Sequence, residues 1–565
     1  MSEGSGADQE ESRGILASSA VMATGTVVSR VSGYARNLLL AAAIGNELHA
    51  DLFNIGNTIP NMLYILLAGG VFNAVLVPQL VRAQKSDRDG GAAYTDRVIT
   101  LAMLFLGAVT VLLVIAAPLV MRLFLNHSYD CPGLAEQRAS AIAFARYCLP
   151  QVFFYGMFVL LGQVLNARGR FGPMMWAPIA NNVISVLVLV IYLVWFGPLA
   201  LNASGSAYTS RQELLLGGGA TLGIVVQVLI LVPYLRRAGV RYRPRYDFRH
   251  TGLGHTLRLG IWTVLFVVVN QVAFTVVVRL ASGGTASGGC GHVGAAPDST
   301  GFTVYSSAYL FVSVPHAIIT VSLATAILPR LSAKAAEGDL RGLATTLADT
   351  LRTALAVAIP FALLLPVLSY DIAKVLFGYG ATSSTFDHFV QSMILFGPGT
   401  VLFTVHYLML RGFYALERTR TVFYIQCAIA ATNIAVAVVL VQRASAEQTS
   451  PALVLAYAAS YLVGSVVSYL MLGTVLGGLH SKELVRFLVR LLIAALVSTA
   501  AAWGLGSVLP GAERTASHLV AGMRVLVLSG VDGAVFLAMA RAMRLTEVTQ
   551  VIDVIVRRRR GTPAS

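Results

Sequence analysis

Charge is what this chain has least of. Only 12% of its 565 residues are Asp, Glu, Lys or Arg, against roughly 25% in soluble domains. Hydrophobic residues make up 56% and mean hydropathy is +0.73. So little charge cannot cover a soluble surface, and the chain reads as an all-α polytopic membrane protein. Cysteine is scarce as well. Cys131, Cys148, Cys290 and Cys427 form no CxxC pair and show no metal-ligand spacing, which excludes the usual zinc and redox motifs. The Gly-rich phosphate loop, HExxH and G-x-S-x-G are all missing. The longest connections, 202–217 and 282–301, are rich in Gly, Ser and Ala and hold no soluble catalytic domain. The expectation is a transporter, neither an enzyme nor the holder of a cofactor or metal.

What is there is a series of apolar runs. Hydropathy gives about fourteen spans, starting near 16, 52, 98, 139, 174, 218, 256, 302, 347, 387, 421, 451, 484 and 517. The net charge of +15 is scattered through short connections, so it reports topology and not a nucleic-acid partner. Connections after even-numbered spans carry Arg82, Lys85 and Arg88, then Arg168 and Arg170, then a run from Arg236 to Arg249. Later ones carry Arg330 and Lys334, Arg418 and Arg420, Lys482 and Arg486, and finally Arg557 to Arg560. Connections after odd-numbered spans are nearly free of Lys and Arg. The positive-inside rule therefore puts both termini in the cytoplasm. The acidic start lacks a basic n-region and a cleavage site, so the first helix reads as retained.

A faint repeat runs through the chain. Val77-Pro78-Gln79-Leu80 and Leu328-Pro329-Arg330-Leu331 each end a span before basic residues, as do Leu165-Asn166-Ala167 and Phe413-Tyr414-Ala415. Both pairs share nearly one offset, which suggests two six-helix halves related by a parallel repeat. The expected division is a polar tail (1–15), a first lobe (16–240, spans 1–6) and a second lobe (250–476, spans 7–12). Two further helices (482–545) and a basic tail (546–565) follow.

Within the first span, Ser29-Arg30-Val31-Ser32-Gly33-Tyr34-Ala35-Arg36 places two arginines at membrane depth. A guanidinium stays charged at any ordinary pH, and one at the bilayer centre costs roughly 2.5–3.5 kcal/mol on insertion scales. Arg30 lies about 21 Å along the helix, and Arg36 about 120° around it. Such charge calls for an anionic partner or a water-filled cavity. Asp51 opens the second helix and is a candidate gate. Asn61, Tyr64 and His316 are lesser cavity candidates. Cys131 and Cys290 both fall in expected outer loops, where a disulfide would restrain the outer side.

The stretch Ser29 to Arg36 resembles the first-helix S-R-x-x-G-[FY]-x-R motif of the MurJ (MviN) family of lipid II flippases, in the MOP exporter superfamily. Asp51, Pro60-Asn61, Gly70-Val71-Phe72 and Val77-Pro78 follow with similar spacing, as do Leu165-Asn166-Ala167 with Arg170-Phe171, Pro178 and Asn182. Val375 to Gly380 and Gly412 to Thr421 are similar to later signatures of the family. The resemblance implies two lobes around a cavity, with the last two helices forming a groove for a lipid tail. It also implies an undecaprenyl-pyrophosphate substrate bearing a peptidoglycan precursor, in the bacterial plasma membrane beside cell-wall synthesis proteins. Arg30, Arg36 and Asp51 match family cavity positions. One departure stands out: the family's helix-eight arginine is missing, since no Lys or Arg occurs between Arg279 and Arg330. Tyr64 likewise stands where some members carry a basic residue. The alternatives are a cation-coupled drug or lipid-linked oligosaccharide exporter of the same superfamily, or a non-transporting scaffold for envelope synthesis.

Overall fold

The computed structural model describes residues 24–25, 27–66, 91–199, 207–247, 253–286, 299–511 and 516–548, with backbone alone over 253–260. The acidic start, Gly70 to Leu80, Cys290 and the arginine tail lie outside the described residues. Every regular element among the described residues is a helix.

The chain divides into two compact units, 1–295 and 296–565. In the first, α1 spans 27–44, and then come α2 (Leu48–Ile65), α3 (Ala92–Ile115), α4 (Ala117–Phe124) and α5 (Ala135–Cys148). They are followed by α6 (Gln151–Ala167), α7 (Gly172–Phe196), α8 (Gly219–Arg237) and α9 (Leu253–Ala286). The second unit holds α10 (Phe302–Val312), α11 (Val321–Ala336), α12 (Leu340–Phe377) and α13 (His388–Ala415). It continues with α14 (Thr419–Arg443), α15 (Thr449–Leu476), α16 (Ser481–Val508) and α17 (His518–Ala542).

Twelve helical stretches among the described residues are long and apolar enough to cross a membrane, running from Ala92–Ile115 to His518–Ala542. They correspond to the third through fourteenth expected spans. The first two are represented by α1 and by α2, whose 18 residues carry Asp51, Asn54, Asn57 and Asn61. The outer faces remain apolar: Leu104, Phe105, Val111, Leu112 and Ile115 of α3 are exposed, as are Leu519, Leu526 and Val527 of α17. A helix satisfies its own backbone, so such faces are suited to lipid.

Local signals set the breaks between helices. Thr209 caps the turn Ser210–Glu213 in a capping box with Gln212. Ser517 caps α17 by accepting from the Val520 N–H. Gly477 ends α15 in the left-handed conformation at φ 74°, which glycine adopts without a Cβ penalty. Close packing needs small residues too. A Cβ on Gly156 of α6 would stand 2.4 Å from a Leu106 methyl of α3, so this glycine lets the two helices approach.

In the first unit α7 packs along α8, α2 against α5, and α3 and α8 against α6, while α9 leans on α2 and α4. In the second, α13 is central, flanked by α12 and α15, and α16 and α17 pair with each other and with α12.

Candidate functional site

The first helix runs unbroken through Gly33, so Arg30 and Arg36 keep their separation around its axis. Arg30 is exposed, whereas Arg36 is half-buried. The helix is braced beside Arg30 by Asn182 of α7, whose Nδ2 donates to Ser32 Oγ at 2.8 Å and to the Ser29 carbonyl at 3.0 Å. That contact uses a small polar residue on each helix, the usual adhesive between membrane helices.

Arg36 lines a polar pocket of about 100 Å³ within the first unit. Amides surround it: Asn37, Asn54 and Asn57, then Gln151 and Asn181, with Tyr155 and Ser185 completing the polar wall. Arg36 Nη2 donates to Asn37 Oδ1 at 3.3 Å, and Gln151 Nε2 donates to Asn57 Oδ1 at 3.0 Å. The lining contains no carboxylate, and no ion pair holds Arg36 among the described residues. A buried charge costs heavily unless it is solvated or paired. Here dipoles do part of that work, and the pocket has room for several waters or ligand oxygens. Arg30 is not part of this lining, so the pocket does not bring the two arginines together.

Tyr64 packs its ring on Tyr155 at 4.8 Å between centroids, one layer away from Arg36. Asn61, on the same helix, is exposed. Asp51 is fully buried in the first turn of α2, where the helix dipole favours negative charge. Its Oδ2 accepts from Thr285 Oγ1 of α9 at 2.8 Å. Nearby, Ser282 Oγ donates to the Phe124 carbonyl at 3.3 Å and accepts from the Asn126 N–H at 2.9 Å. The end of α9 is thereby stitched to α2 and to the turn after α4.

His316 belongs to the second unit and is buried there. Its Nδ1 lies 2.8 Å from Thr404 Oγ1, and its ring packs on Phe403 and Tyr407 at 4.5 and 5.2 Å. Tyr407 in turn hydrogen-bonds Arg411, whose guanidinium sits 4.4 Å over the same ring.

Two features were not singled out in the sequence. The first is the amide wall of the Arg36 pocket: Asn54 and Asn57 sit three apart on one face of α2, a spacing that marks a polar stripe. The second is Arg524 of α17, whose Nε donates to Asp371 Oδ2 of α12 at 3.1 Å, both side chains being nearly fully buried. Asp532 is buried against Ser498 and Thr499 of α16. Of the cysteines, Cys148 and Cys427 are free and Cys131 is disulfide-bonded.

A family model described as lipid II flippase MurJ matches residues 40–520. The probable lipid II flippase MurJ of Vibrio cholerae is 27% identical over 420 residues, covering 73% of this chain and 74% of the relative. That of Haemophilus influenzae is 25% identical over 495 residues, covering 85% and 90%. Among solved structures, a lipid II flippase MurJ in an inward closed conformation aligns with TM-score 0.69 at 17% identity, over 93% of this chain and 99% of that one. An inward-facing MATE family multidrug transporter of the MOP superfamily aligns with TM-score 0.59 at 16% identity, over 80% and 95%. The fold is thus shared across the superfamily, and the sequence match decides within it: this multi-pass membrane protein belongs to the lipid II flippase MurJ family.

Proposed function

We propose that this chain moves a lipid-linked peptidoglycan precursor, lipid II, from the inner to the outer leaflet, exposing its head-group site alternately to the two sides. The single observation that carries the reading is the pair Arg30 and Arg36 on one membrane helix, with no carboxylate partner for Arg36 in its pocket. A phosphate group suits a guanidinium fork, which presents parallel N–H donors to its oxygens, and a pyrophosphate carries two such groups. Asn61 and Tyr64 extend the same helix pair toward the sugar end of the head group. Asp51, tied to Thr285, acts as part of the outer gate. The family membership and the names of its relatives support the substrate.

Both termini face the cytoplasm on this reading, since basic residues fill the connections after even-numbered spans. The residues act by binding and conformational change, with no covalent chemistry. Cation-coupled drug export, the alternative within the superfamily, fits less well. A cation site wants carboxylates, and the wall around Arg36 has none.

The test is Arg30→Ala in cells that depend on this chain for wall synthesis. Outward appearance of the precursor is lost while the protein's membrane level is kept. Normal outward appearance would remove the proposal, and mislocalised synthesis enzymes with normal flipping would favour a scaffold.

A further inference from the structure

Three arginines from separate elements converge at one end of the first unit. Arg122 lies in the last turn of α4, Arg138 in the first turn of α5, and Arg279 toward the end of α9. With His127, Tyr129 and Asp130 they line a cleft of about 470 Å³, inside the roughly 300–1,000 Å³ range of small-ligand sites. The Arg36 pocket has a separate lining with no residue in common.

Asp130 is the one carboxylate in this lining. Arg138 Nη1 donates to Asp130 Oδ1 at 2.9 Å, which neutralises that pair. Arg279 spends its donors on uncharged groups: Nη1 bonds the Arg122 carbonyl, and Nη2 lies 3.2 Å from His127 Nε2. The Arg122 side chain makes no hydrogen bond or ion pair among the described residues. Three arginines against the single carboxylate of Asp130 leave two positive charges in surplus in the cleft.

The floor of the cleft is firm. Tyr129 is buried at 1% exposure, and Ser282 ties α9 to Phe124 and Asn126. The charge also stands where the pattern of the chain disfavours it. Other connections after odd-numbered spans carry at most a single arginine, such as Arg211, Arg443 or Arg514, whereas Arg122, Arg138 and Arg279 gather here. Arginines that merely snorkel to a surface have no reason to share one cleft.

We propose that this cleft binds a phosphate-bearing anion, with Arg122 and Arg279 holding the phosphate oxygens and Arg138 staying on Asp130. The phosphate comes from the head group of an anionic phospholipid or from a lipid-linked pyrophosphate, and the same guanidinium chemistry serves both. That the cleft faces the outer side rests on the orientation proposed above; the binding itself does not.

The full-length protein is purified in detergent. Retained phosphatidylglycerol is measured by native mass spectrometry, and inorganic pyrophosphate is titrated calorimetrically into the delipidated protein. At least one probe binds, and Arg122→Gln and Arg279→Gln each weaken it on the order of tenfold. Arg443→Gln, the same charge change on an exposed residue of the second unit, leaves binding as it was. Arg122→Gln keeps the backbone carbonyl that Arg279 uses, and an unchanged melting temperature verifies its fold. Phosphatidylglycerol binding alone assigns the site to a head group, and pyrophosphate binding assigns it to the diphosphate. Binding of neither probe, or equal binding in all four proteins, overturns the site. A protein that binds here but does not flip lipid keeps this site and loses the transport reading.

Discussion

Thr285 donates its hydroxyl to Asp51 across 2.8 Å, joining the last turn of α9 to the first turn of α2. Both residues are nearly or wholly out of solvent. Removing the donor leaves a buried carboxylate short of a partner, a loss of about 1–3 kcal/mol. Thr285→Val therefore lowers the thermal midpoint in detergent, and Thr285→Ser restores it. If Asp51 acts in the outer gate, Thr285→Val also slows lipid movement, whereas Thr285→Ser does not.

Arg524 and Asp371 fix α17 to α12. Arg524 also donates Nη1 to the Leu509 carbonyl at 2.7 Å, closing the end of α16. Breaking one partner strands a buried charge and costs about 3–5 kcal/mol. Arg524→Met or Asp371→Leu alone speeds hydrogen exchange along α17. The double variant recovers much of the protection, because an apolar pair carries no stranded charge.

Asp247 is held by Arg97, whose Nε lies 2.9 Å from Oδ2. That hydrogen bond keeps the carboxyl below its ordinary value of 3.8. A depressed carboxyl contributes its stability above the unfolded value. The contribution fades as pH falls through the folded one, hence only below about pH 4. A nitroxide at position 243 becomes more mobile on acidification through that range. In Arg97→Ala it is mobile throughout. The pair is solvent-exposed, so global stability changes little.

Cys131 is disulfide-bonded, and two of the four cysteines are free. Non-reducing peptide mapping of protein from an oxidising preparation yields a peptide joining Cys131 to Cys290. Finding both as free thiols would contradict this.

Much of the fold is legible in the sequence because lipid leaves few options. Long apolar runs become helices, and α3 through α17 begin within a few residues of the expected starts for most spans. The π-helical stretches at Leu214–Gly218 and His316–Thr320 carry no period of their own and went unread. For the site, Arg30 and Arg36 stand out by charge alone. The amides around Arg36 come from four helices, and no single stretch announces them. Arg524 and Asp371 are 153 residues apart, so neither reveals the other.

The most direct test reconstitutes the full chain in vesicles with lipid II on the inner side and follows its arrival at the outer leaflet. On the proposed binding, Arg30→Ala and Arg36→Ala each lose a charge-assisted contact to the pyrophosphate, worth about 1.5–3 kcal/mol. Each slows arrival by roughly ten- to a hundredfold, while Arg443→Gln does not. Undiminished flipping by both alanine variants would contradict the account.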